Sequence, residues 1–245
     1  MASGIVAAMV AEARILSKGP IAPGELILLP GGAMLLLSGI GANRARVAAQ
    51  ALLEKGATAL VSWGSAGGLM PVLPPGSLIL PERILGADQS VYPADPVWHE
   101  RLCSRLKGYV DPQRGVLAES KQVLATRAEK AALLRRTGAV AVDMESASIA
   151  QIAKEAGIPF MAIRAIADGA QLDMPRSALD SIDEFGRVRP MRLLSLMARH
   201  PVELFALLRM GRNFRAAETT LARVALRAGS CFLCPQSRDD GCRER

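Results

Sequence analysis

Aromatic residues, histidine and long apolar runs are all scarce in this chain of 245 residues. Aromatic residues make up only 4% of it although half of its residues are apolar, so alanine, valine, leucine and isoleucine must build the core. That composition is typical of parallel sheets covered by helices and disfavours an all-β sandwich. No apolar run reaches the roughly 18 residues that a transmembrane helix needs. Since residues 1–10 also lack the basic region of a secretory signal, we expect a cytoplasmic protein.

Acidic residues are scarce in one part of the chain. The net charge is +7, and the final 60 residues, after Phe185, hold 12 basic but only 5 acidic residues. All 12 are arginines, interleaved with aliphatic residues rather than with the aromatic residues on which bases stack. The pattern therefore disfavours nucleic acid and favours peripheral contact with an anionic membrane surface, on the inner face of the membrane.

Cysteine is rare outside the C-terminal end. Of four cysteines, Cys231, Cys234 and Cys242 lie within the last fifteen residues. A structural zinc site needs a fourth ligand, and the chain has only His99 and His200 to supply one. We therefore expect no metal, and interpret residues 229–245 as a flexible tail with the reduced thiols usual in the cytosol.

Short apolar segments alternate with segments of helical spacing. This alternation implies crossover connections and an α/β fold: one three-layer domain, residues 1–185, whose central mixed, largely parallel twisted sheet is flanked by helices. Residues 186–228 are predicted to form an Arg-rich amphipathic helical extension packed on it. The predicted strands are Ile5–Met9, Leu26–Leu29, Ala33–Leu37, Ala59–Ser62, Ser77–Leu80, Ala139–Val142 and Phe160–Ile166, and the predicted helices are Arg44–Lys55, Ala128–Arg136, Ser146–Ala156, Met191–Arg199 and Val202–Met210.

Two glycine-rich segments follow predicted strands. Glycines let the segment Gly64–Gly68 turn tightly and point its amides, with the Ser65 hydroxyl, at an anion or a sugar; such turns serve ordinary topology at least as often. In the segment Ser38–Arg44, an arginine replaces the third glycine of the dinucleotide-binding pattern. Arg44 at a helix start can bind phosphate with two hydrogen bonds, or it is simply solvated.

Three acidic residues lie just beyond predicted strands. Glu145 can accept two hydrogen bonds from a ribose diol, or it caps the following helix as Asp143 and Ser146 are expected to do. Asp168, if buried, has a raised pKa and can protonate a leaving group such as purine N7; alternatively it belongs to an Asp-Gly turn. Glu12 can polarise a water molecule, or it lies on a helix surface.

These residues carry a family resemblance over roughly residues 5 to 170. The resemblance is to the methylthioadenosine/S-adenosylhomocysteine nucleosidase and purine nucleoside phosphorylase superfamily, and it is carried by Ala8-Met9 with Glu12, Ser38–Gly41, Gly64–Leu69, Asp143–Ala147 and Arg164–Asp168. The resemblance implies that Asp168 protonates purine N7, that Glu145 binds the ribose hydroxyls, that Met144 forms an apolar wall under the sugar, and that Ser65 and Gly64 line the pocket of the nucleophile.

The resemblance leaves the nucleophile open between water and phosphate. In the hydrolytic branch the residue matching Glu12 activates water, and Trp63 stands where phosphorylases of the superfamily bring an arginine, so hydrolysis is favoured. Arg44, where the nucleosidases tend to carry asparagine, can restore a phosphate site. The segment Lys121–Thr126 departs from the family pattern where the base is contacted, and Val123 is the expected base contact, with adenine the favoured base.

The Arg-rich end resembles one branch of the superfamily, the hopanoid-associated phosphorylases, whose members are thought to remove adenine from adenosylhopane. The resemblance thus implies a lipid-linked nucleoside as substrate, a homodimer, and neither a metal nor an organic cofactor. Two alternatives within enzymes are a soluble 5′-methylthioadenosine/S-adenosylhomocysteine nucleosidase and a general purine nucleoside phosphorylase. Outside enzymes, the alternative is a non-catalytic nucleoside-binding or membrane-scaffold protein.

Overall fold

The computed structural model describes residues 2–17, 19–199 and 201–228. The cysteine-containing segment 229–245 and His200 lie outside the described residues. The strands are β1 (Ala2–Ala7), β2 (Leu26–Leu28), β3 (Met34–Leu37), β4 (Ala57–Gly68), β5 (Leu78–Ile79), β6 (Arg83–Leu85), β7 (Val91–Pro93), β8 (Val116–Glu119), β9 (Ala141–Asp143) and β10 (Phe160–Asp168). The α-helices are α1 (Val10–Leu16), α2 (Ala42–Glu54), α3 (Pro96–Leu106), α4 (Arg127–Thr137), α5 (Ser146–Glu155), α6 (Arg176–Ser181), α7 (Pro190–Arg199) and α8 (Leu204–Ala228), with a 3-10 turn at Pro201–Glu203.

The strands form one mixed sheet, as the sequence predicts. Its order is β2-β3-β1-β4-β9-β8-β6-β7, and β10 pairs with β4 and β5 off this path. β1, β3, β4 and β10 are parallel, and β6, β8 and β9 are parallel to one another. These two groups meet where β9 runs antiparallel to the end of β4. The chain therefore leaves β9 in the direction opposite to β4. As a result, the residues that follow Asp143 lie beside the middle of β4.

β4 differs from the prediction of a short strand, Ala59–Ser62, followed by a glycine turn. The segment Gly64–Gly68 is extended and belongs to the strand. The cause is its neighbour: β10 pairs with β4 from Leu60 to Gly67, so the backbone groups of the glycines are satisfied by the sheet and have no need of a turn. Gly64 and Gly67 thus lie along one strand, about 10 Å apart at the usual rise per residue.

Helices cover both faces of the sheet and give the predicted three layers. Alternate residues of β1 enter opposite cores: Ile5 packs with α1, α3 and α8, whereas Val6 packs with α2 and α5. In the second half of α8, Leu221 and Val224 are buried against the sheet. The predicted extension 186–228 therefore shares the core of the domain through α8. Among the described residues, no helix is long and apolar enough to cross a bilayer.

The predictions fit some segments better than others. Helices α2, α4 and α5 are confirmed with bounds that differ by one or two residues. The chain between residues 83 and 119 holds β6, β7, α3 and β8, none of which the apolar pattern predicted. Its strands are three or four residues long, too short to show a period of two.

Candidate active site

Glu12 is buried at the start of α1 and binds the backbone of β4. Its Oε1 accepts hydrogen bonds from the Ser65 amide at 2.7 Å and from the Ser65 hydroxyl at 2.8 Å, and its Oε2 accepts one from the Met9 amide at 3.1 Å. Burial raises the pKa of Glu12, and the nearby Arg164 opposes the rise. The structure thus joins Glu12 and Ser65 and excludes the surface-helix interpretation of Glu12.

Gly64 is required by the space around it. A Cβ atom at this position would lie 2.5 Å from Arg164 Nη1 and 2.6 Å from Glu12 Oε1. Cβ atoms in proteins essentially never come within 3.0 Å of another heavy atom, so the ends of these two hydrogen-bonded side chains would have to move. Gly64 therefore lets a carboxylate and a guanidinium group approach the same point of β4.

Arg164 is the cationic centre of the site, and sequence reasoning did not single it out. Although it is charged, its side chain is buried in the middle of β10, where the residue is 2% exposed. Its Nε donates to Asp143 Oδ2 at 2.8 Å, and its Nη2 donates to the hydroxyls of Ser62 at 2.6 Å and Ser146 at 3.1 Å. A buried charge needs such partners, so an arginine inside the apolar run Phe160–Ile166 was the signal that could have revealed it.

Asp143 has two roles. Its Oδ2 pairs with Arg164 at 2.8 Å, and its Oδ1 accepts from the Ser146 amide at 3.3 Å. Asp143 thus bonds the first amide of α5 without occupying its N-cap position, which belongs to Glu145, and the Ser146 hydroxyl donates to Asp143 instead of capping the helix. The ion pair with Arg164 additionally joins the chain just before α5 to β10. Because Glu145 lies between Asp143 and the first residue of α5, this ion pair helps to fix its position.

Glu145 is buried, and its carboxylate reaches away from its own helix. Its Oε1 accepts from the Gly41 amide at 2.8 Å and its Oε2 from the Met144 amide at 3.3 Å. It occupies the N-cap position of α5 without capping it, so the capping interpretation is wrong. Burial, reinforced by the charge of Asp143, raises the pKa of Glu145 to about 7 although Arg164 opposes the rise. Met144 beside it is half-buried.

Asp168 ends β10 at the other end of the paired segment of β4. Its Oδ2 lies 2.5 Å from Lys130 Nζ, and 4.0 Å from where a Cβ atom of Gly67 would be. Burial raises the pKa of Asp168, and Lys130 lowers it in part. Sequence reasoning missed Lys130, because a lysine in a charged helix is normally solvated.

A cleft leads outward from Asp168. It lies between the loop that follows β10 and one side of α8, and its volume is about 10 Å³, about enough for one water molecule. Its lining residues are Asp168, Leu172, Asp173, Met174, Pro175, Ala206, Arg209, Met210 and Asn213.

Arg44 and Val123 lie at the rim of the site. Arg44 is half-exposed, 4.0 Å from the carboxylate of Glu184, and its guanidinium group lies 5.5 Å from the ring centre of Phe185. Val123 is exposed in the loop between β8 and α4, which bonds to the edge of the cleft through the Met174 amide. Both residues are thus separate from the buried centre.

A further buried carboxylate lies behind this centre. Glu119 pairs with Asp143 across β8 and β9 and accepts a hydrogen bond from the Ser148 amide at 3.0 Å. Burial raises the pKa of Glu119 to about 7. Within the described part of the chain, no group of His, Cys, Asp or Glu has the arrangement of a metal site.

Comparison with known proteins identifies the family. The model of the phosphorylase superfamily matches residues 26–199. The chain belongs to the phosphorylase superfamily. This confirms the family expected from the motifs around Glu12, Glu145 and Asp168, and with it an enzyme that cleaves N-glycosyl bonds.

Individual members show how distant the similarity is. A 5′-methylthioadenosine/S-adenosylhomocysteine nucleosidase of Shewanella baltica is 29% identical over 159 residues, which cover 56% of this chain and 67% of the relative. The structure of a nucleosidase of the same name from Neisseria meningitidis, in complex with methylthio-immucillin-A, superimposes with a TM-score of 0.68 at 20% identity over 91% of this chain and 96% of the other. The futalosine hydrolase of Helicobacter pylori gives 0.65 at 18% identity over 92% and 97%. These structures confirm the fold of this superfamily member.

Proposed function

We propose that this phosphorylase-superfamily protein hydrolyses the N-glycosidic bond of an adenine nucleoside carrying a lipid substituent, such as adenosylhopane. The observation that carries the reaction type is the buried Glu12 carboxylate, held by Ser65 on β4 beside Arg164 and Gly64. A carboxylate held in this way can act as a general base.

The leaving base is protonated by Asp168. Adenine departs poorly as an anion, so a proton donor at N7 lowers the barrier, typically by a factor of 10² to 10⁴ for general acid catalysis. A carboxyl group is available for this task when its pKa is raised, as burial raises that of Asp168. Val123, in the loop bonded to the cleft beside Asp168, is the proposed contact with the base.

The ribose is held by Glu145 above the half-buried Met144. A carboxylate accepts both hydrogen bonds of a ribose diol, and its negative charge stabilises the positive charge that the ribose gains as the bond breaks. The Gly41 and Met144 amides fix the direction of the Glu145 carboxylate, so little reorganisation is needed during the reaction.

Water rather than phosphate is the proposed nucleophile. Glu12 and Glu145 both contribute negative charge near Arg164, and Arg164 already pairs with Asp143. A phosphate dianion would be repelled there, whereas a water molecule can give its proton to Glu12. Arg44, the arginine that the sequence offers for phosphate, lies 4.0 Å from the carboxylate of Glu184. These charges favour hydrolysis.

The proposal of a lipid substituent rests on the surface of α7 and α8. Val202 and Phe205 are more than four-fifths exposed, and Met191, Leu194 and Leu208 are exposed with them. Arg189, Arg192, Arg209, Arg212 and Arg215 are exposed along the same segment, in which Glu203 is the one acidic residue between residues 186 and 217. Exposed apolar groups with arginines around them match an anionic bilayer in both chemistry and charge.

The same helix borders the cleft. Along α8, Ala206, Arg209 and Met210 line the cleft beside Asp168, while Phe205 and Leu208 face solvent. A nucleoside in the site can therefore keep its apolar chain near the lipid surface. We propose peripheral membrane contact through α7 and the first half of α8, in a protein that forms a homodimer.

The decisive experiment measures adenine release from adenosylhopane and from methylthioadenosine, each with and without phosphate. We expect release from the lipid nucleoside without phosphate and a free sugar product by mass spectrometry. A phosphorylated sugar would replace hydrolysis by phosphorolysis. Faster turnover of methylthioadenosine would favour the alternative that the named relatives suggest, a 5′-methylthioadenosine/S-adenosylhomocysteine nucleosidase.

The membrane contact has its own test. Flotation with anionic and with neutral liposomes compares the wild type with the double variant Phe205→Ser, Leu208→Ser. Leu226→Ser is the matched control, because Leu226 is 85% exposed at the far end of the same helix. We expect the double variant alone to lose binding to anionic liposomes. Equal binding by all three proteins would refute a membrane surface at this place.

A further inference from the structure

We propose that Lys130 is a positioning residue that acts through Asp168, fixing the direction of its carboxyl group and controlling how readily it gives up its proton. The inference rests on the proposed function, in which Asp168 protonates the departing base. Lys130 touches neither substrate nor nucleophile in that scheme.

The contacts of Lys130 fix its ammonium group from three sides. Lys130 lies in the first turn of α4 and is 1% exposed. Its Nζ donates to the carbonyl oxygens of Gly169 at 3.0 Å and Leu172 at 2.8 Å, and lies 2.5 Å from Asp168 Oδ2. An ammonium group has three donors, so two of them anchor it to the loop after β10 and the third is directed at Asp168.

This arrangement leaves one side of Asp168 for the substrate. The Asp168 side chain is 18% exposed, and it lines the cleft. Among the described residues, none donates a hydrogen bond to Oδ1, while Oδ2 is occupied by Lys130. Lys130 thus fixes Oδ2 of Asp168, and Oδ1 is left to donate a proton to the departing base.

Stability alone does not account for a buried lysine here. Replacement of a buried ion pair by apolar residues of similar size is often neutral or stabilising. The ends of α4 and of the loop are already joined by Arg127, whose amide and Nε bond to Asp173 at 2.7 Å and 3.2 Å. The position of the Lys130 charge against Asp168 therefore points to a role in its protonation.

The charges that face Asp168 come from three elements. Burial raises the pKa of Asp168 and is the largest of the effects on it. Lys130 of α4 lowers this pKa, and Asp173 of the loop after β10 raises it by a smaller amount. Arg209 of α8 also lines the cleft. Because the acid must be protonated to react, activity falls as pH rises through its pKa. Loss of the Lys130 charge raises that pKa, so the alkaline limit of activity must move to higher pH.

The test compares Lys130→Met and Lys130→Arg with Arg127→Gln. Arg127→Gln is the matched control, since it removes a cation from the same helix that contacts Asp173 and not Asp168. For each protein, kcat and KM for adenine release are measured across pH 5 to 9, and the Asp168 carboxyl resonance is titrated by carbon-13 NMR. Its assignment comes from its loss in Asp168→Asn, and thermal unfolding verifies folding.

We expect Lys130→Met to raise the pKa of Asp168 by about one unit or more, as removal of an adjacent opposite charge does. The alkaline limit should shift with it, and kcat should fall about tenfold or more while KM changes little, since orientation of the acid is lost. Lys130→Arg should keep the alkaline limit of the wild type, and Arg127→Gln should shift it much less than Lys130→Met does, because Arg127 acts on Asp168 only through Asp173, whose charge has a smaller effect than that of Lys130. If Lys130→Met does not fold, Lys130→Gln, which keeps a donor for the two carbonyls, takes its place.

Two results would contradict the role of Lys130 or the proposed function, and the test distinguishes them. A lower kcat with unchanged pKa and unchanged pH profile would mean that Lys130 has only a structural role, and would overturn the inference. If the wild type releases no base from any nucleoside, the proposed function fails. The NMR titration still decides whether Lys130 controls the protonation of Asp168, because it needs no substrate.

Discussion

The two ends of the site, which lie along β4, differ in how tightly their acids are held. At the Glu12 end, formed by Glu12, Ser65, Asp143, Glu145 and Arg164, the three carboxylates accept hydrogen bonds from the residue before α1, from β4, from β10 and from the loop before α2. At the Asp168 end, a single ion pair with Lys130 holds the acid beside an open cleft. Under the proposed reaction, the rigid end orients sugar and water and the open end lets the base leave.

The largest effect is expected from Asp168→Asn, which removes the acid at the open end. An amide cannot protonate N7, so kcat should fall by about 10² to 10⁴. Folding should survive, because the amide oxygen can still accept from Lys130. Adenine release and thermal unfolding are measured on the same preparation, and wild-type turnover would exclude Asp168 as the acid.

Gly64→Ala tests the rigidity of the Glu12 end. The added methyl group would overlap Arg164 and Glu12 at 2.5 to 2.6 Å, so stability should fall by about 1–3 kcal/mol together with most of the activity. The control is Gly67→Ala at the open end, where the nearest atom to an added Cβ is Val142 Cγ1 at 3.2 Å. Equal losses of stability in denaturant unfolding would contradict the difference between the two ends.

Glu145 gives the Glu12 end a predicted pH dependence. The deprotonated carboxylate accepts both ribose hydrogen bonds, and the pKa of Glu145 is about 7. As pH falls from 8 to 6 the group gains its proton, so KM should rise over that range. Glu145→Gln should raise KM at all pH values, by about 10-fold to 100-fold for hydrogen bonds to a charged group, and should flatten its pH dependence. A KM that is the same at pH 6 and pH 8 in the wild type would refute this role.

The smallest effect is expected from Arg44→Ala at the rim. Exposed ion pairs such as that of Arg44 with Glu184 contribute about 0–1 kcal/mol, so kcat/KM should change less than about threefold, with or without phosphate. If Arg44→Ala lowers kcat/KM only when phosphate is present, Arg44 binds phosphate and the reaction is a phosphorolysis.

The sequence alone determined the fold class and most of the acids of the site. Alternation of apolar and helical segments is a local property, so β3, β10, α2, α4 and α5 were predicted within two residues of their observed bounds, whereas β1 begins three residues before its predicted start. Glu12, Glu145 and Asp168 were predicted as site residues because each follows a predicted strand, where sheets of this class present their functional groups, and because the segments around them resemble the family. The segments of helix and strand, and the positions of these acids after strands, are visible in the sequence because they depend on residues close together along the chain.

Only the tertiary structure decided what those acids contact. The pairs Glu12–Ser65, Arg164–Asp143 and Lys130–Asp168 join residues 53, 21 and 38 positions apart. The extension of β4 through Gly68 depends likewise on its pairing with β10, which overrides the turn preference of glycine. Burial raises the pKa of Glu12, Glu145 and Asp168, and a cationic partner opposes each rise. Both are properties of the packed core, and no local pattern of residues encodes them.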